Sequence, residues 1–373
     1  MRKSIAIIIT SILVLSGCNK QQSVSDRLLN EVEKAIAINP DSASNLLKSI
    51  SSPEKLDDKA FARWCMLSGK ITDEIFNSIL PTYQLERAYD WYSSHGSPDE
   101  QVQILIYLGR SYFADGDYDK AMSIYTNALD IAEKNKLNNL TGYIYDYIGD
   151  LYREKFMRTE AIKKYKAAAE CFKKEKNTDS YACALRDVGR EYAEMDSLSH
   201  ALHILIIADS VANKTKNIEV TASINNALGN IYAMQNKYDK AEKYLLKALL
   251  TGREKMPDYV ALIDLYTTSG SINKAKELLS KIPQDNPQYT CSIKYLYYQI
   301  YNAEENDKEA LVNLEEYVNM VDSIVYADSQ SKILDIESKY NHLKISKEVD
   351  RLKIKQQSYI IISIISIVTL LFI

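Results

Sequence analysis

Glycine and proline are both scarce in this chain, 11 and 7 among 373 residues. Turns draw heavily on these two residues, so the shortage argues against a β-rich fold. Histidine is rarer still: His95 in a predicted loop, His200 and His203 three apart on one predicted helix, and His342. None has the companions that would complete a metal site, so no metal and no cofactor is expected. The five cysteines follow no CxxC or other ligand spacing. The net charge is −4, so nothing in the charge balance points to nucleic acid as a partner. A GxSxG elbow, a glycine-rich phosphate loop and a catalytic-cysteine signature are all missing. No enzyme is expected.

What the chain does have is alanine, leucine, lysine, glutamate and 28 tyrosines, a mix that favours helix. It also has a period. Leu108-Gly109-x-x-Tyr112 is followed by Ala121, Tyr125 and Ala128. Forty residues on come Ile148-Gly149-x-x-Tyr152 with Ala161, Tyr165 and Ala168, and the pattern returns at Gly189 and again at Gly229. Two weaker copies follow through Tyr266 and Tyr301, with Ile263 and Tyr298 where the glycine would stand. Small residues at matched intervals let two helices approach closely. The tyrosine three residues beyond each glycine is expected to fill the space between one helix pair and the next. Asp115-Gly116-Asp117 and Gln235-Asn236-Lys237 read as the compact turns inside the pairs.

This pattern resembles the tetratricopeptide repeat (TPR), whose signature has the form L-G-x2-Y…A-x3-F…A. The resemblance implies an all-α fold, a right-handed superhelical solenoid of helix hairpins that ends here in a long helix. It departs from the usual 34-residue period by six residues, which are expected to lengthen the second helix or the loop after it. Residues 98–255 hold four repeats and 256–325 two degenerate ones. Residues 26–97 read as irregular helical repeats: a helix from Asp26 to Ala37, one capped by Asp41, one around Ala60 to Ser68, and one from Tyr83 to Tyr92.

Both ends differ from this middle. A basic start, the apolar stretch Ile5 to Leu15 and then Leu15-Ser16-Gly17-Cys18 resemble a bacterial lipobox. That resemblance implies a signal peptide over 1–17, lipidation of Cys18, a tether over 18–25, and repeats held outside the cytoplasm at the bacterial envelope. An uncleaved anchor is the alternative. Residues 326–357 carry a short heptad pattern through Ile333, Ile336 and Tyr340, which points to a coiled-coil-like helix. The uncharged segment 358–373 would reach about 24 Å as a helix, short of a hydrocarbon core of about 30 Å. It is expected to belong to a transmembrane helix completed by residues beyond Ile373, or else to be a short tail that dips into the membrane. The order of parts is similar to TPR-containing membrane regulators of Bacteroidota. Cys171 and Cys183 stand near one predicted helix junction, where a disulfide is conceivable and free thiols are favoured.

A TPR array implies a concave groove lined by the first helix of each pair, at positions three before and one after each glycine. In this sequence these are Ile106 and Arg110, Asp146 and Asp150, Arg186 and Arg190, and Asn226 and Asn230. Each pair is spaced i, i+4 and shares a helix face. Arg186 and Arg190 could hold a peptide carboxylate, with Asn226 and Asn230 bonding its backbone. Alternatively, Asp146 and Asp150 on the neighbouring repeat neutralise the two arginines and leave the groove self-satisfied. The expected partners are a protein or peptide in the groove and a membrane at the ends. Two roles fit: the sensory or scaffolding part of an envelope regulator, or a structural lipoprotein that assembles an envelope complex.

Overall fold

The computed structural model describes residues 26–75, 79–252 and 255–325, with the single positions Arg351, Lys355 and Ser358. The expectations for Cys18, the signal peptide, the tether, the heptad pattern and the terminal apolar segment lie outside these residues. Among the described residues every regular element is helical and no helix is long and apolar enough to cross a membrane. The chain forms two units, 1–317 and 318–373; in the second, residues 318–325 are helical.

The first unit is a row of helix hairpins. It opens with α1 (26–36), α2 (Pro40–Lys48), α3 (Asp58–Ile75) and α4 (Thr82–His95). The repeats follow as α5 (Pro98–Ala114) with α6 (Tyr118–Lys134), α7 (Asn138–Glu154) with α8 (Arg158–Lys174), α9 (Thr178–Glu194) with α10 (Leu198–Ala212), and α11 (Ile218–Met234) with α12 (Tyr238–Thr251). The row closes with α13 (Met256–Thr268), α14 (Ile272–Ser280), α15 (Thr290–Ala303) and the helical residues 307–317, α16. Each helix packs on the next, and alternate helices touch as well, α5 on α7 and α9 on α11. One pair alone could not bury its apolar face, so the stacking makes the core continuous.

The signature residues explain the hairpin. A Cβ on Gly149 would come within 2.5 Å of the Tyr165 ring, and one on Gly109 within 2.3 Å of Tyr125. Both rings are fully buried in the space that the missing side chains leave. Ala121, Ala128, Ala161 and Ala168 are also fully buried. Three of the signature tyrosines reach back to the preceding hairpin, as expected. Tyr112 donates to Glu86 on α4, the Tyr192 hydroxyl accepts from Lys166 on α8, and Tyr266 donates to Glu242 on α12 at 2.8 Å.

Each turn inside a repeat follows one design. The first helix ends with its last carbonyls bonded by a left-handed residue and the one after it. Asp117 N–H donates to Tyr112 O at 2.9 Å, Met157 to Tyr152 at 2.9 Å, Ser197 to Tyr192 at 2.8 Å and Lys237 to Tyr232 at 2.9 Å. The links between α6 and α7 and between α8 and α9 are only three residues long, while the helices they join each have 17. The extra residues of the long period therefore go into helix at these two links, while the link between α10, which has 15 residues, and α11 is five residues long.

Two local readings change near the start. Asn39, not Asp41, caps α2: its Oδ1 accepts from Ser42 N–H at 3.0 Å, and Pro40 occupies the first helical position. Asp41 lies in the first turn. α3 begins two residues before Ala60 and runs seven residues past Ser68. Cys65, Cys171, Cys183 and Cys291 are all free thiols, the first buried and the others half-buried.

Candidate functional site

The first helices of the hairpins carry two clefts. The first has a volume of about 690 Å³ and lies among α3, α5 and the N-terminal half of α7. Ile106, Tyr107, Leu140, Tyr143 and Tyr147 give it an apolar wall. Arg110 lies inside it but is already engaged. Its guanidinium pairs with Asp73 on α3 and packs between the rings of Tyr107 and Tyr147, 6.0 and 5.5 Å from their centroids. Asp73 also accepts from Tyr107 Oη at 3.0 Å. The carboxylate and the two rings hold Arg110 as a protein-bound cation.

The second cleft, about 540 Å³, lies at the C-terminal ends of α7, α9 and α11. Arg190 and Asn230 line it, with Arg153, Arg158, Asp187 and Glu191. Most of its charges are matched. Arg158 Nη1 meets Glu191 at 3.0 Å, its Nη2 meets Glu194 at 3.3 Å, and Arg153 Nη2 meets Asp150 at 3.0 Å.

The expected neutralisation of Arg186 and Arg190 by Asp146 and Asp150 takes a different form. The partner is Asp187, a buried carboxylate on the same helix. Arg186 donates to both its oxygens, Nε to Oδ1 at 2.9 Å and Nη2 to Oδ2 at 2.8 Å. A third bond, Nη1 to Ser223 Oγ at 3.1 Å, ties the same guanidinium to α11. Arg186 thus joins two repeats and is spoken for. Arg190 has only the remainder, a 3.6 Å approach to Asp187 Oδ1, and keeps 44% of its side chain exposed. Partial loss of hydration and the neighbouring Arg186 charge both lower its proton affinity. It is the least satisfied cation lining this cleft.

Asp150 accepts from Tyr165 Oη at 2.8 Å as well as pairing with Arg153, so it belongs to the hairpin's own packing. Asp146 has one oxygen shut away from solvent with no hydrogen-bond partner. Burial, with Asp187 and Asp150 nearby, lifts its pKa well above the usual carboxylate range. Asn226 is buried and donates to Asp258 Oδ1 on α13 at 2.7 Å, while its own Oδ1 accepts from Asn230 Nδ2 at 3.0 Å. Asn230 is exposed. Of the positions named from the sequence, Arg190 and Asn230 share the second cleft and Ile106 and Arg110 the first. Asp146, Asp150, Arg186 and Asn226 serve the frame around them. Sequence reasoning missed Asp187 and Asp73, whose partners do not follow the i, i+4 spacing. Among the described residues no group of histidine, cysteine and carboxylate side chains could hold a metal ion.

The repeats match models described as tetratricopeptide repeat over residues 100–174 and again over 221–256. These two stretches are tetratricopeptide repeats. No curated protein matches the chain. Among solved structures, it is similar to a Rap protein complexed with Competence and Sporulation Factor, with a TM-score of 0.61 and 18% identity over 80% of this chain and 86% of that one. It is also similar to the apo quorum sensor NprR from B. thuringiensis (TM-score 0.52, 14% identity, 84% of this chain and 99% of that one). NprR in complex with its cognate peptide NprX gives a TM-score of 0.51 at 16% identity, over 78% of this chain and 88% of that one. At these identities the likeness is one of fold.

Proposed function

We propose that this chain of tetratricopeptide repeats is a protein-interaction module that takes a peptide segment along the face of its first helices, with Arg190 receiving a carboxylate. The observation that carries this reading is the unequal pairing of Asp187. Both of its oxygens are committed to Arg186, which leaves Arg190 half exposed in a cleft beside Asn230. A guanidinium in that state offers two parallel donors to an incoming carboxylate. The peptide held by NprR supports the choice of ligand class. The lipobox-like start and the apolar end support a place at the bacterial envelope, with the repeats outside the cytoplasm as the sensory or scaffolding part of a regulator.

The test uses the full chain in detergent and two libraries of random hexapeptides, one with free and one with amidated C termini. The wild type is expected to enrich peptides with a free terminal carboxylate or a side-chain acid. Arg190→Ala should lose that enrichment by about 10- to 100-fold, the worth of one charge-assisted pair. Equal enrichment by wild type and variant would remove Arg190 from the site.

A further inference from the structure

The turn between α7 and α8 puts a phenylalanine in the left-handed region of the backbone. Equivalent turns place Gly116-Asp117, Asp196-Ser197 and Asn236-Lys237 where this one has Phe156-Met157. The first residue of each is left-handed, with φ of 77° at Gly116, 55° at Asp196, 56° at Asn236 and 57° at Phe156. Glycine, asparagine and aspartate tolerate that conformation, whereas a bulky side chain seldom adopts it. The second residue is the N-cap of the next helix. Asp117 accepts there from Lys120 N–H at 3.2 Å, while Met157, like Ser197 and Lys237, makes no side-chain cap. Nothing is gained by burial in exchange, since Phe156 is 79% and Met157 48% exposed. The backbone bonds are those of the other turns, with Phe156 N–H to Arg153 O at 2.9 Å. An aromatic residue held in the left-handed region at a turn, and then left in water, points to use of the surface.

The surroundings say what that use is. Phe156 lines the rim of the second cleft, and so does Met234, the last residue of α11 and 51% exposed. The Arg158 guanidinium sits 5.5 Å from the Phe156 ring centroid and is itself tied to Glu191 and Glu194. The cleft therefore has an apolar rim at Phe156 and Met234, and an incompletely paired cation at Arg190. We infer that Phe156 and Met234 grip a large apolar side chain of the bound peptide beside the acid that Arg190 receives. The occupant is a peptide segment in which an aromatic or long aliphatic residue neighbours a carboxylate. An isolated acid would leave the rim in water, and an isolated apolar side chain would leave Arg190 unanswered. This inference rests on the groove reading above and adds the specificity element to it.

The experiment compares wild type with Phe156→Gly/Met157→Asp, which installs the pair found at Gly116-Asp117. Folding and binding are expected to move in opposite directions. The Tm should rise by about 2–4 °C, because the left-handed position and the cap both become favourable. In the free-carboxylate library, wild type should enrich peptides with an apolar residue next to the acid. The variant should keep the preference for the acid and lose the apolar preference by at least about tenfold. An unchanged apolar preference, or a lower Tm, would overturn the inference. Wild-type enrichment of acids with no apolar neighbour would defeat it too, while sparing the groove. If the wild type enriches no peptide from either library, the groove reading falls and this inference falls with it.

Discussion

Asp187→Asn tests the idea that the arginines of the middle repeats are part of the fold's own frame. The substitution removes the charge that faces Arg186 while keeping nearly the same shape. Arg186 is only 19% exposed and Asp187 9%, so water repays little of the lost interaction. Breaking a buried pair costs about 3–5 kcal/mol when the remaining charge is stranded. Arg186 keeps its bond to Ser223 and the new amide oxygen can still accept once, so the expected loss is about 2–3 kcal/mol. The companion variant, Arg186→Met/Asp187→Leu, removes both charges. A well-packed apolar pair often replaces a buried ion pair at little cost, so it should fall within about 1 kcal/mol of wild type. Urea unfolding followed by far-UV circular dichroism gives both numbers, provided the slope with denaturant stays constant across the set. An array of repeats can lose cooperativity, and a changed slope would show that directly. The reasoning is refuted if Asp187→Asn costs less than about 1 kcal/mol, or if the double variant is no better than the single one.

Two further substitutions test the packing and the buried acid. Gly149→Ala would gain about 1 kcal/mol from helix propensity alone, but the new methyl would meet a Tyr165 ring that is buried and pinned by its hydroxyl bond to Asp150. Overpacking of about 1–3 kcal/mol should win, so the melting temperature should fall; a rise would show that the hairpin can open freely at this contact. Asp146→Asn tests linkage. The folded state raises this carboxyl's pKa, so the native protein holds the proton more tightly than the unfolded chain. The stability it contributes is complete below the unfolded value and is lost as pH rises through the folded one. The Asn variant should therefore gain on wild type at neutral pH and show no gain near pH 3; equal stability across that range would mean that Asp146 is not perturbed.

The hairpins were legible because each signature position has one steric task. Gly149 and Tyr165 are complementary shapes, and the shape shows in the residue type. Even the turns were readable where Gly116 and Asn236 mark left-handed backbone. The site was legible only by place. The positions flanking each glycine do fall on the first helices, yet residue type alone could not separate Arg190, which faces the cleft, from Arg186, which is consumed by the fold. The deciding residue was Asp187, adjacent in sequence to Arg186. Adjacent side chains on a helix diverge, so spacing rules pass over such a pair. Here the long arginine bends along its own helix and closes the ring, a contact that depends on rotamers and burial. Phe156 escaped notice for a related reason: a phenylalanine in a repeat protein reads as core until its backbone angle and exposure are known.

The matched charges also set what kind of ligand the groove can hold firmly. To recruit Arg186, a peptide carboxylate would have to displace Asp187 and leave that buried acid unpaired, a cost comparable to the gain. Arg110 is closed in the same way by Asp73 and two tyrosine rings. Of these three arginines, Arg190 is the one that can accept an acid without breaking a close pair. One half-exposed contact of this kind supplies about 1.5–3 kcal/mol, far short of the roughly 8 kcal/mol that micromolar binding requires. The remainder must come from apolar surface. The structure offers it in two places, the tyrosine-lined wall between α3 and α7 and the rim formed by Phe156 and Met234. A ligand that used only charge would bind weakly and lose affinity steeply with salt, whereas one that used both clefts would not. Raising ionic strength from 0.05 to 0.5 M is thus expected to weaken a selected library peptide by about tenfold or less. A loss of a thousandfold would mean that charge alone holds the ligand, against the arrangement of pairs described above.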